Sequence, residues 1–304
     1  MARLFDAYII VDWSAAAKPA TGANSIWVGV YARDARLKLQ FRAMNPKTRL
    51  EARQFIVDMT NKLTSRGDRV LIGLDFGIGY PAGTAEAAGL STDDKPAWRA
   101  MQQHLAGKVK EKSDNSNARF AIAAGLNYAI SKGPFPFWGA PKRDVATTLA
   151  ATKGDFSGRS GLPEYRISER WLKEERKLQP KSVWQLYGAG SVGGQSLLGI
   201  PTLAYLRDQL DNSTIWPFET GLTHLTDESL GKNKVVFAEV YPSSVKITPE
   251  PGEIIDAAQV RSLATHLARL DEKSQLAPLF GGPGTLSDTE IAAIEGEEGW
   301  ILAG

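Results

Sequence analysis

The chain has 304 residues, 43% of them hydrophobic and 23% charged, an ordinary soluble composition that can bury one large core or two smaller ones. It contains no cysteine, which excludes disulfides, thiolate metal sites and cysteine nucleophiles, and 36 basic residues against 34 acidic ones give no global charge that marks a nucleic-acid binder. Its three histidines, His104, His224 and His266, lie far apart without ligand spacing, so any metal must be held by oxygen.

The first apolar run, Ala7 to Val11, ends in Asp12-Trp13-Ser14 and reads as a buried strand carrying a carboxylate at its end. A buried carboxylate needs a cation, a metal or several donors. The run is bracketed by Asp6 and Asp12 and is too short for a signal sequence, and no stretch approaches the ~20 apolar residues of a membrane span. The chain therefore reads as cytoplasmic, with no membrane partner.

A turn-rich loop, Lys18 to Asn24, leads to two alternating runs, Ser25–Tyr31 and Leu37–Phe41, joined through Arg33-Asp34-Ala35-Arg36 as a hairpin. Apolar positions at Leu50, Phe55, Ile56, Met59 and Leu63 predict a helix over Arg49–Leu63, stopped by Gly67. The next apolar run, Val70 to Leu74, again ends in an acid, Asp75, followed by Phe76-Gly77 and Pro81. First and fourth strands side by side would bring Asp12 and Asp75 together.

Residues 82–233 read as a long, mostly helical insertion, with a helix opening at Asp114-Asn115-Ser116-Asn117-Ala118-Arg119 and a rigid aromatic loop, Gly133 to Gly139. The charged stretch Trp171–Lys181 reads as a solvated helix. Gly188-Ala189-Gly190-Ser191-Val192-Gly193 has the outline of a dinucleotide fingerprint, but the acid expected about 20 residues on would have to be Glu219, 26 beyond Gly193 in a proline-interrupted stretch, and Pro201 falls inside the helix that should follow. A glycine turn lining a cleft is the expectation, with Ser191 and Gln195 nearby. The sheet resumes at Val235 to Val240, with Glu239 near its end. Helical periodicity over Ile254–Leu270 puts Asp256 in the first turn on the inward stripe, where the helix dipole favours an anion; that position also suits an acid that only satisfies backbone donors. Asp271 reads as a solvated end residue, and the tail Glu295 to Leu302 as a segment docking on the body.

Taken together, Val11-Asp12-Trp13-Ser14, Gly73-Leu74-Asp75-Phe76-Gly77, Asn117-x-Arg119-Phe120, Phe137-Trp138-Gly139, Gly188-x-Gly190-Ser191, Ala238-Glu239-Val240-Tyr241-Pro242 and Asp256-Ala257-x-Gln259 resemble the ribonuclease H-like superfamily. More narrowly, the chain resembles a bacterial family of unknown function described as predicted nucleases of that fold. The resemblance implies an α/β fold with a mixed five-stranded sheet, formed by residues 1–81 and 234–304 of a single domain. It also implies a two-metal site in which Asp12, Asp75, Glu239 and Asp256 bind Mg²⁺ or Mn²⁺ and carry phosphodiester hydrolysis. Ser14, Asn117, Arg119, Gly190, Ser191 and Gln195 are then the expected contacts to a nucleic acid or small phosphoester. The same core also serves actin-like ATPases and sugar kinases, which would need a second copy of it and an adenosine-binding turn. A protein that binds without turnover is a further reading.

Overall fold

The computed structural model describes residues 3–302 apart from 35, 37, 158–160 and 189. Strands β1 (Ala7–Asp12), β2 (Trp27–Arg33) and β3 (Leu39–Met44) come first, then helix α1 (Arg49–Thr64) and strand β4 (Val70–Asp75). The long middle segment carries α2 (Thr84–Ala87), α3 (Ala97–Lys108), α4 (Arg119–Ser131), α5 (Ile167–Glu175), α6 (Gly193–Gln209), β5 (Ser213–Ile215) and α7 (Asp227–Leu230). Strand β6 (Val235–Val240), helices α8 (Ile255–Glu272), α9 (Leu276–Leu279) and α10 (Asp288–Ala293), and strand β7 (Ile301–Leu302) complete it. No helix among the described residues is long and apolar enough to cross a membrane.

The protein is an α/β structure built on a mixed sheet in the order β3-β2-β1-β4-β6-β5, with β7 also on β6. Strand β2 is antiparallel to β1 and β3, while β1, β4 and β6 run parallel, so the carboxyl ends of β1, β4 and β6 fall along one edge of the molecule. The sheet has seven strands, two more than expected. Both additional strands are short and lie beside β6: β5 pairs with Val235 to Phe237 and β7 with Glu239 and Val240. Since β5 lies within residues 82–233, that mostly helical segment also returns one short strand to the sheet. Residues Leu37 and Ala35 of the expected hairpin lie outside the described residues. Both hairpin strands begin two residues later than expected, β2 at Trp27 and β3 at Leu39, with Arg33 paired to Leu39.

Alternation along the strands sorts the core into two layers. Tyr8, Ile10, Leu71, Val236, Ala238 and Val240 pack with Val260, Leu263 and Leu267 of α8. On the other face Ile9, Val11, Val28, Ile72, Leu74, Val235 and Phe237 meet Ala52 and Ile56 of α1 and Leu203 and Leu206 of α6. Close approach of α8 depends on Gly29, where an added Cβ would lie 2.9 Å from the Phe41 ring and 3.0 Å from Val260. A third cluster, including Tyr80, Met101, Leu126, Phe137, Trp184 and Leu197, holds the middle segment together.

Asp271 corrects its sequence reading. It is buried, and its carboxylate accepts the backbone N–H groups of Leu4 and Phe5, both at 2.8 Å, and the Tyr8 hydroxyl at 2.7 Å. The chain entering β1 has unpaired donors there, and an acid at the end of α8 satisfies them, which outweighs its unfavourable place at the helix carboxyl end. The tail docks as expected: Glu298 accepts from Ala82 and Ile167, and Glu297 from Gly83 and Ala85.

Candidate functional site

Asp12 and Asp75 are the last residues of β1 and β4 and are direct register partners, so their side chains share one face. That is the face covered by α8, whose first turn carries Asp256. The three acids line one cleft of about 370 Å³ with Ser14, Asn24, Lys181, Gly188, Gly190, Ser191, Gln195, Tyr241 and Gln259 among its other walls. The cleft lies outside the carboxyl ends of parallel strands, the usual place for a ligand in an open α/β sheet.

The electrostatics of the pair are unusual. Removal from water, then the charge of Asp75, then that of Asp256 hold Asp12 well above the ordinary carboxylate range. Burial, then the charge of Glu239, pushes Asp75 up to about 7. Two adjacent carboxylates without a neutralising cation share protons as a coupled pair. Asp256 is fixed differently: its Oδ2 accepts the backbone N–H of Asn24 at 2.6 Å. It is therefore both an acid that satisfies a backbone donor and a wall of the cleft.

Glu239 departs from the expected set. Its register partner is Leu74, one residue before Asp75, so alternation turns it to the opposite sheet face, the face of Val235 and Phe237. There the buried Arg166 grips it, Nη2 donating to Oε1 at 2.5 Å and Nη1 to Oε2 at 2.8 Å, while the Ile78 N–H also donates to Oε2 at 3.0 Å. Arg166 donates to Glu169 Oε1 through Nε and Nη2 at 2.9 and 2.7 Å, and to the Glu298 carbonyl at 2.9 Å. With both oxygens committed, Glu239 is absent from the walls of this cleft and shares with Asp75 and Lys181 a smaller neighbouring cavity of about 30 Å³.

The expected substrate contacts divide in the same way. Ser14, Gly190, Ser191 and Gln195 line the cleft, whereas Asn117 and Arg119 stand behind its wall. A Cβ built on Gly194 would lie 3.2 Å from both the Arg119 Cδ and the Ala15 Cβ. The Gly188–Gly194 turn is preceded by an isolated bridge at Gln185 in place of a strand, so it lacks the strand-turn-helix setting of a dinucleotide site.

Three residues that matter here carried no sequence signal of their role. Lys181 ends a stretch whose charge predicts a solvated helix, but α5 stops at Glu175 and Lys181 is the one basic side chain lining the cleft among the described residues. Arg49 clamps the loop after β1: Nη1 donates to the carbonyls of Ser14 (3.3 Å) and Ala16 (2.7 Å), Nη2 to that of Asn115 (2.7 Å), and Nε to Glu111 at 2.8 and 2.9 Å. Arg166 is the third. Only the long-range contacts they make give these side chains away.

Among the described residues, no group of three or more histidine, aspartate or glutamate side chains is gathered closely enough to cage a metal ion. The donors present nonetheless suit a hard cation of the Mg²⁺ kind, which commonly takes one or two carboxylates and completes its shell with water and substrate phosphate. Asp12 and Asp75 would hold such an ion, with Asp256 across the cleft. Comparisons with protein-family models, with curated proteins and with solved structures return no match.

Proposed function

We propose that the protein is a divalent-cation-dependent phosphoester hydrolase on a ribonuclease H-like core. The observation that carries this reading is the register pairing of Asp12 and Asp75 at the ends of adjacent parallel strands, both held above the ordinary carboxylate range and both open to one cleft. The strand order β3-β2-β1-β4-β6, with β2 antiparallel to both its neighbours and β1, β4 and β6 parallel, supports the fold assignment. An actin-like or sugar-kinase reading would require a second core, and all strands among the described residues join one sheet.

When bound at Asp12 and Asp75, Mg²⁺ or Mn²⁺ would supply a Lewis acid for a phosphoryl oxygen and an acidified water. The chain's own residues do the rest. Asp256, fixed by Asn24, orients a water on the far wall of the cleft. Lys181 meets the non-bridging oxygens of the ester, where its ammonium opposes the charge that grows in the transition state. Gln195 donates through Nε2 to the Trp13 carbonyl and so holds the loop after Asp12 in place. Arg49 does the same from the other side.

The test is hydrolysis of bis(p-nitrophenyl) phosphate with and without Mg²⁺ or Mn²⁺. The reading expects turnover only with the cation, abolished by Asp75→Asn. Cation-independent turnover, or turnover retained by Asp75→Asn, would refute it.

A further inference from the structure

The turn that closes the cleft offers more than a small phosphoester needs. Tyr187, the residue before Gly188, is 58% exposed. Tyr128 is equally exposed but is covered by Lys132, whose Nζ lies 4.5 Å from the ring centroid; no ring or cation among the described residues stacks on Tyr187 in this way. Tyr187 is held at its place by the backbone, because a Cβ on Gly139 would lie 3.2 Å from both its nitrogen and its oxygen.

A cation stands on each side of this turn. On the cleft side the Lys181 side chain runs along it, with Cε 3.7 Å from the position of a Gly190 Cβ. On the other side is Arg119, close to Gly194 and Ala15. Its Nη1 donates to Asn117 Oδ1 at 2.9 Å and its guanidinium lies 4.3 Å over the Phe120 ring, but Nε is buried without an acceptor and no carboxylate pairs with it among the described residues. Burial, then the charges of Arg49 and Arg143, hold Arg119 below the ordinary arginine range, with Asp144 partly offsetting them. A second anion beside Arg119 would relieve that crowding. Between the cations, Gly188 (φ +111°) and Gly190 (φ +70°) carry no side chain to keep a ligand backbone away.

We propose that Tyr187 and the glycines Gly188 and Gly190 beside it form a subsite for single-stranded nucleic acid: one base stacks on the Tyr187 ring, and the flanking phosphates are met by Lys181 and Arg119. The proposal rests on the reading of the cleft as a phosphodiester site. Exposed rings alternating with cations are how single strands are held without regard to sequence. A duplex offers no free base face to Tyr187. A small phosphoester would fill the acid cleft and leave both Tyr187 and Arg119 unused.

The experiment is fluorescence anisotropy with short labelled single-stranded DNA and RNA oligonucleotides, and with duplexes of the same sequences, in Ca²⁺ to suppress turnover. The wild type should bind single strands about tenfold more tightly than duplex, and Tyr187→Ala should lose about tenfold in single-strand affinity while Tyr187→Phe retains it. Arg119→Gln should weaken binding and reduce its salt dependence. Equal affinity for single strand and duplex, or an affinity that Tyr187→Ala does not change, would overturn the proposal. A wild type that hydrolyses bis(p-nitrophenyl) phosphate but binds no strand would overturn this subsite and leave the cleft's assignment standing. Tyr187-dependent strand binding without hydrolysis of any ester would support the subsite and refute the hydrolase reading.

Discussion

Asp12 and Asp75 face each other as register partners at the last positions of β1 and β4, and Asp12 is also paired with Trp27 of β2 on its other side. Parallel pairing of two strands that both end in an acid places two carboxylates side by side at the edge where the sheet opens into a cleft. Burial at that edge is the main reason both stand above the ordinary carboxylate range; the charges of Asp75 and then Asp256 add to it at Asp12, and the charge of Glu239 adds to it at Asp75.

The pair makes the stability of the cation-free protein depend on pH. Between the ordinary carboxylate value near 4 and the value of about 7 for Asp75, the folded state holds a proton that the unfolded state has released. The contribution of Asp75 to stability is therefore present at low pH and lost as pH rises through that window. The melting temperature of Asp75→Asn relative to wild type should increase steadily from about pH 4 to about pH 7 without divalent cations. A constant difference across that range would contradict the assignment.

Glu239 is expected to behave as a structural residue. Breaking its pairing with Arg166 by Arg166→Met leaves a buried carboxylate without its cation and should lower stability by about 3–5 kcal/mol, measured by urea denaturation. Glu239→Gln should also destabilise the fold, while Mn²⁺ affinity of the folded protein, measured by calorimetry, stays within about a factor of two. A loss of Mn²⁺ binding comparable with that of Asp12→Asn would return Glu239 to the metal site.

Lys181→Ala should reduce the rate of phosphodiester hydrolysis by about 100-fold with little change in melting temperature, because the residue is exposed and forms no ion pair among the described residues. Lys181→Arg should recover part of the rate. Unchanged kinetics in Lys181→Ala would remove it from the chemistry.

Asp271→Ala should cost about 3 kcal/mol, since it strands the donors of Leu4, Phe5 and Tyr8 that the carboxylate now accepts. Thermal or urea melts check this directly; a change below about 0.5 kcal/mol would mean that water replaces the carboxylate.

The parts of this arrangement that were legible in the sequence are those with a local signature. Apolar runs ending in Asp12 and Asp75 announce buried strands with acids at their ends, and the three-to-four spacing through Val260, Leu263 and Leu267 announces α8 with Asp256 in its first turn. The parts that were not legible depend on register and on distant partners. Glu239 differs from Asp75 by a single step of pairing, Leu74 against Glu239, and nothing local to either strand encodes that step. Strands of three and two residues, such as Ser213–Ile215 and Ile301–Leu302, are too short to show alternation. Asp271 reads locally as a solvated helix end, because the donors that explain it come from the other end of the chain.

The most direct test of the central claim is the thermal melt of Asp12→Asn beside wild type, each with and without Mg²⁺. Asparagine keeps the shape and removes one of two repelling charges, so without Mg²⁺ the variant should melt at the same temperature as wild type or slightly higher, by an amount on the order of 1 kcal/mol. Mg²⁺ should raise the melting temperature of wild type and leave the variant unmoved. A marked fall in the variant's melting temperature, together with no effect of Mg²⁺ on wild type, would show that Asp12 is a structural acid and that the cleft is not a cation-dependent site.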